Sequence, residues 1–175
     1  MKRTEFEHAI RAAGGVLGVN DLLVIGSQAL HASVSGSFPE DVTPSVEVDI
    51  AVRDDPEGRL ADLLDGSIGE GSMFHATFGY YVQGVVETTA VLPAGWRERL
   101  VRFEARSTNG IVAWCLDPHD LWISKAIAGR PKDVDFCRAM LDAGVVRSDM
   151  LRERLGGVSD IGDRARRAVE ARIPA

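Results

Sequence analysis

The stretch that decides the fold runs from Leu22 to Val52: Leu22-Leu23-Val24-Ile25-Gly26-Ser27, a turn-rich spacer, then Val46-Glu47-Val48-Asp49-Ile50-Ala51-Val52. The first part is a short apolar run that reads as a buried strand. It breaks at Gly26-Ser27, and Gln28 to Val34 then reads as helical, with Ala29, Leu30 and Ala32 as good formers. The last part alternates strictly. Val46, Val48, Ile50 and Val52 fall on one strand face, and Glu47 and Asp49 on the other. Between the two, residues 35–45 hold two prolines, three serines and a glycine, which predicts a loop.

Outward from this centre the order is legible. Thr4-Glu5-Phe6-Glu7 matches a capping box, so a helix is expected there, ending at Gly14-Gly15. Arg59 to Leu64 predicts a short helix. Residues 73–91 are rich in aromatic and β-branched side chains and read as strand. Residues 100–105 and 111–115 read as two strands joined by Ser107-Thr108-Asn109-Gly110, an Asn-Gly turn signal. Asp117-Pro118 opens a helix, Pro131 interrupts it or starts another, and Ser148 and Ser159 are expected N-caps of two more. The expected class is α+β: a mixed β-sheet flanked by helices, with residues 1–115 as an α/β core and residues 116–175 as a C-terminal helical region packed on it.

Composition narrows the function. The 175 residues carry a net charge of -6, and 45% are hydrophobic, enough for a core. No apolar run approaches the roughly 18–20 residues of a membrane span. MKRTEFEHAI lacks the apolar region of a signal peptide. Cys115 and Cys137 lie in apolar segments without CxxC spacing, so buried thiols in a reducing, cytoplasmic setting are expected. Residues 1–70 hold 5 Lys/Arg against 13 Asp/Glu, a poor general surface for nucleic acid but a plausible place for a divalent cation. His8, His31, His75 and His119 have no zinc-ligand spacing, and neither a Walker loop nor a Ser/His/Asp nucleophile motif is present. Trp96, Trp114 and Trp122 read as packing residues rather than base-stacking platforms. Seven arginines at 147, 152, 154, 164, 166, 167 and 172 read either as a solvated face laced with acids such as Asp160 or as a contact for a polynucleotide.

The chemistry concentrates where the fold was decided. A glycine and a serine at the start of a helix let a phosphate approach free N–H groups and add a hydroxyl donor. Glu47 and Asp49, roughly 6.5–7 Å apart along one strand face, can share or bracket a hard cation. Taken alone, the same pair suits the solvated face of an antiparallel sheet, and Gly26-Ser27 suits an ordinary N-cap.

Gly-Ser, a spacer, then acid-x-acid on a strand resembles the signature of the polymerase-β-like nucleotidyltransferase superfamily. Asp120 to Asp133, DLWISKAIAGRPKD, is similar to the L-x-x-x-K … R-x-x-D helical motif of the AbiEii and MenT nucleotidyltransferase toxins. Gly95-Trp96-Arg97-Glu98-Arg99-Leu100 resembles a Gly-Trp-x-x-Arg-Leu segment of small bacterial relatives. The resemblance covers roughly residues 20–140. It implies nucleotide binding by Gly26, Ser27 and Lys125, a Mg²⁺ or Mn²⁺ held by Glu47 and Asp49, and a late acid, Asp133, that orients Lys125 or the acceptor. It implies NTP as substrate, a tRNA 3′ end as one acceptor, and a toxin–antitoxin or defence setting with a cognate protein partner. Three departures stand beside it. Glu47 occupies a place where Asp is usual, the spacer from Ser27 to Glu47 is long, and a third strand acid is expected near residues 85–91, where only Glu87 lies. The alternative is therefore a nucleotidyltransferase fold with a degraded site, acting as an antitoxin or partner subunit.

Overall fold

The computed structural model describes residues 1–34, 45–52, 55, 57–159 and 161–175. The loop expected over residues 35–45 lies outside the described residues except for Ser45, as does Asp160. Five strands form one mixed sheet in the order β3-β2-β1-β5-β4. They are β1 (Asp21–Val24), β2 (Glu47–Val52), β3 (Tyr81–Val86), β4 (Val101–Phe103) and β5 (Val112–Cys115). β1 pairs with β2 antiparallel and with β5 parallel, β2 with β3 parallel, and β4 with β5 antiparallel. Strands β1 and β2 bury Leu22, Leu23, Val24, Val48, Ile50 and Ala51. A fully buried aliphatic side chain of this kind contributes about 1.5–3 kcal/mol. Val46 precedes β2 and is exposed, so the buried stripe starts one alternation later than the sequence implied.

Helix α1 (Arg3–Leu17) starts earlier and ends later than its sequence signals. The Glu5 carboxylate accepts from the Lys2 backbone N–H at 2.7 Å, which moves the cap to Lys2. Gly14 and Gly15 lie inside the helix, and Gly18, with φ 67°, ends it. Gly14 serves packing instead: a Cβ there would stand 2.1 Å from Ile111 Cδ1. Helix α2 (Arg59–Ile68) takes its start from Asp55, whose Oδ2 accepts from the N–H groups of Leu60 and Ala61. Gly84 on β3 lets the Ala61 backbone approach to where a Cβ would meet it at 2.2 Å. Gly84 is paired with Ile50, so α2 covers the Val48–Ile50 face of the sheet and leaves the Glu47–Asp49 face to other elements.

Residues 73–78, expected as strand, form the short helix α3 (Met73–Phe78). Ser72 Oγ accepts from His75 N–H and Gly79, at φ 77°, closes the turn. Two strong caps override the β preference of the aromatic side chains. The strand begins only at Tyr81. The Asn-Gly turn occurs as expected, with Asn109 at φ 54° and Gly110 at φ 82° between β4 and β5.

The C-terminal helices are α4 (Pro118–Ala128), α5 (Pro131–Asp142), α6 (Ser148–Gly156) and α7 (Asp163–Glu170). Asp117 caps α4 through His119 N–H, as its sequence implied. Gly129 at φ 63° and Pro131 separate α4 from α5. Ser148 is the first residue of α6, after the cap at Arg147, and α7 starts four residues beyond Ser159. Among the described residues no helix is long and apolar enough to cross a membrane. Trp122 is fully buried and donates its indole N–H to the Cys137 carbonyl at 2.9 Å, locking α4 to α5. Both cysteines are buried and unbridged.

Candidate active site

β1 and β2 meet where the site begins. Ile25 N–H donates to the Asp49 carbonyl at 3.2 Å, and Gly26 caps a 3₁₀ turn from Ser27 to Ala32. The Asp49 side chain lies directly over Gly26: a Cβ built there would stand 1.7 Å from Asp49 Oδ2. Gly26 has φ -89°, which any residue can adopt, so lack of space rather than backbone conformation selects glycine. Ser27 is buried beside it. The expected helix here is a six-residue 3₁₀ turn, too short to add a helix dipole to its free N–H groups.

Strand register sets the neighbours of the two carboxylates. Glu47 is paired with Tyr81, and Asp49 with Gln83. The Tyr81 hydroxyl donates to Glu47 Oε2 at 2.9 Å, and Lys132 Nζ stands 3.9 Å from Glu47 Oε1. Burial pushes the Asp49 carboxyl above the ordinary carboxylate range, with Glu47 adding to the rise and Lys125, Lys132 and Arg130 opposing it. Burial and the Glu47 carboxylate raise the Tyr81 hydroxyl strongly, so it remains a donor. Glu87 does not complete the set. It lies in a 3₁₀ turn just past the end of β3 and pairs with Arg97. The strand position beside Asp49 belongs to the neutral, exposed Gln83. Among the described residues no three His, Cys, Asp or Glu gather as a metal cluster.

The helical half supplies the cations. Lys125 and Asp133 do not share a continuous helix, yet they meet: the break at Gly129 and Pro131 folds α5 back so that Lys125 Nζ is 3.6 Å from Asp133 Oδ1. Arg130 Nε donates to Asp133 Oδ2 at 2.6 Å. Asp133 is buried, which alone would raise its carboxyl, but Arg130 and Lys125 hold it below the ordinary range. The structure thus brings Gly26, Ser27, Glu47, Asp49, Lys125 and Asp133 to one region.

Sequence reasoning gave no role to four further members, Arg130, Lys132, Tyr81 and Gln83. Arg130 stood in the quoted R-x-x-D motif without a role of its own, and Lys132 had only its place beside Pro131 as a signal. Tyr81 and Gln83 depend on the register of β2 on β3, which no local pattern encodes.

Other singled-out residues have structural work. His31 stacks on Phe6 at 4.8 Å between ring centroids, and burial pushes it down to about 4, so it packs as a neutral ring. Arg99, from the Gly-Trp-x-x-Arg-Leu segment, donates to both oxygens of the fully buried Asp120 at 2.8 and 3.0 Å, and Arg154 of α6 approaches the same carboxylate at 3.3 Å. Arg166 bonds the carbonyls of Leu155 and Val158, and Arg172 that of Ala126. Much of the arginine set is therefore spent inside the chain.

A mixed five-stranded sheet flanked by helices, with an acid pair on a central strand, is a nucleotidyltransferase-like α+β fold. The sequence agrees: residues 5–168 match the family described as "Nucleotidyltransferase of unknown function (DUF6036)", and the chain belongs to that family. Neither a curated protein nor a solved structure matches it.

Proposed function

We propose that this chain transfers a nucleotide from an NTP to an acceptor hydroxyl, with Mg²⁺ or Mn²⁺ held by Glu47 and Asp49. One observation carries the reading: the half-buried Asp49 side chain packs against a glycine where a Cβ has no room, on the strand face shared with Glu47 and within reach of the Lys125 charge. Leaving an acid in a place that burial disfavours costs stability, which is the usual mark of a functional group. The donor set fits a hard cation, since Mg²⁺ takes one or two carboxylates and completes its shell with water and substrate phosphates. When bound, such an ion neutralises phosphate charge and lowers the pKa of the attacking hydroxyl.

The chain's own residues do the positioning. Lys125 and Lys132 supply point charges for a triphosphate, and Asp133 holds Lys125 in place. Gly26 and Ser27 offer the closest backbone approach for phosphates. In the transfer, the acceptor oxygen bonds the α-phosphorus, pyrophosphate leaves with its bonding electrons, and the hydroxyl proton passes to water. The resemblance to the AbiEii and MenT toxins supports a tRNA 3′ end as acceptor, a toxin–antitoxin or defence setting with a cognate partner, and a cytoplasmic location. The exposed Arg164 and Arg167 of α7 are cations available to such an acceptor.

Gln83 favours a second reading. A neutral side chain beside Asp49 leaves two carboxylates where fuller enzymes carry three, which suits a nucleotide-binding module that has lost turnover. One experiment separates the two: incubation with labelled NTPs, Mg²⁺ or Mn²⁺ and total tRNA, for the wild type and Asp49→Ala. Label transfer that Asp49→Ala reduces at least about 100-fold supports the enzyme. NTP binding without transfer supports the module. Absence of metal-dependent NTP binding overturns both.

A further inference from the structure

We infer that Tyr81 is the positioning residue that makes Glu47 usable as a metal ligand, an inference that rests on the metal-dependent reading above. The parallel register of β2 on β3 places the two side chains next to each other on one face. Tyr81 is 8% exposed, and its hydroxyl donates to Glu47 Oε2 at 2.9 Å. The tyrosine is itself held. The His75 ring lies against it at 4.8 Å between centroids, and Gly71 N–H donates to His75 Nδ1 at 3.1 Å. A line of fixed groups therefore runs from the Gly71 backbone to one oxygen of Glu47.

The other oxygen is differently placed. Oε1 has Lys132 Nζ at 3.9 Å, beyond hydrogen-bond range, on a lysine side chain that is 67% exposed. One carboxylate oxygen is thus occupied by a rigid neutral donor, and its twin is left to an easily displaced cation. Ligating carboxylates are commonly held by such an outer hydrogen bond, which fixes their orientation and basicity.

This arrangement also accounts for glutamate where the resembling enzymes have aspartate. Glutamate carries one extra methylene and more rotamers, a disadvantage for a ligand unless something locks it. An aspartate at this position would withdraw the carboxylate by about 1.5 Å, out of reach of the tyrosine hydroxyl. The longer acid and the tyrosine form a matched pair, and each explains the other.

The test is a titration of the full chain with Mn²⁺ alone, reading free Mn²⁺ by electron paramagnetic resonance, beside a thermal melt. Wild type, Tyr81→Phe, Glu47→Asp, their double variant and Asp49→Asn are compared. Tyr81→Phe is expected to weaken Mn²⁺ binding about 10-fold with its melting point unchanged. Glu47→Asp is expected to weaken it more, because it breaks the same bond and also withdraws the ligating carboxylate, and in the double variant the two losses are expected to add to less than their sum. Wild-type affinity in Tyr81→Phe, with binding abolished in Asp49→Asn, overturns the role of Tyr81 and leaves the metal reading standing. Should Tyr81→Phe melt early, the double variant decides: losses from Tyr81→Phe and Glu47→Asp that add in full there also overturn the role. A wild type that takes up no Mn²⁺ overturns the metal reading, and this inference with it.

Discussion

Helix α4 carries one buried aspartate near its start and meets another, from α5, near its end; each is held by two cations, and the pair behave in opposite ways. Near its start, Asp120 meets Arg99 and Arg154. Near its end, Lys125 meets Asp133, which also binds Arg130. Burial outweighs the arginines at Asp120 and raises its carboxyl, with Asp117 nearby adding to the rise. At Asp133 the cations win and the carboxyl is lowered. The first cluster is closed: its arginines are largely buried, and they tie the segment before β4 and helix α6 to α4. The second is open, with Lys125, Arg130 and Lys132 all reaching the charge on Asp49. The same residue types make a fastener at one end and, at the other, a group of cations whose charge reaches Asp49. What separates them is whether the cations have anything left to hold.

That difference can be broken by experiment. The largest effect is expected at the closed cluster. Asp120→Ala orphans two arginines and leaves a gap, and should cost about 3 kcal/mol, lowering the melting point by roughly 10 °C. Asp120→Asn keeps an acceptor for Arg99 and should cost less than half of that, because the raised carboxyl means that the charge itself contributes little. Equal losses in the two variants would make the fastener ionic after all.

A smaller effect is expected at the open cluster. Asp133→Asn should destabilise by about 1–2 kcal/mol at pH 7, discounted because Arg130 is half exposed. The folded-state carboxyl is depressed, so the stability it gives is present above the ordinary value of 3.8 and is lost as pH falls through and below it. Melts of wild type and variant should therefore converge in acid. A gap that does not narrow as pH falls below 3.8 would break the comparison.

The smallest change carries the opposite sign. The Asp49 carboxyl is raised, so its ionised form is penalised at neutral pH in the folded chain. Asp49→Asn should raise the melting point by roughly 2–4 °C at pH 7. The gain should shrink as pH falls toward 3.8 and vanish below it. An Asp49→Asn protein that melts below the wild type at pH 7 would assign the residue a structural role.

Local chemistry explains which parts could be read in advance. The alternation of Glu47 and Asp49 with Val48 and Ile50, the Asp117-Pro118 cap and the Asn109-Gly110 turn are each written in a few adjacent side chains, and the structure follows them. Residues 73–78 went the other way, since Ser72 and Gly79 act from outside the aromatic run that suggested a strand. Lys125 and Asp133 were named from a resemblance alone, and they meet through the corner between two helices. Tyr81 beside Glu47 and Gln83 beside Asp49 were out of reach, because pairing between distant segments is settled by the packing of the whole sheet.

The contact between Gly26 and Asp49 makes these two positions epistatic. Any larger residue at 26 must evict the acid, while a chain that has already lost the acid can fill the hole without penalty. Among relatives, a bulky residue at 26 is therefore expected only where the acid at 49 has been replaced.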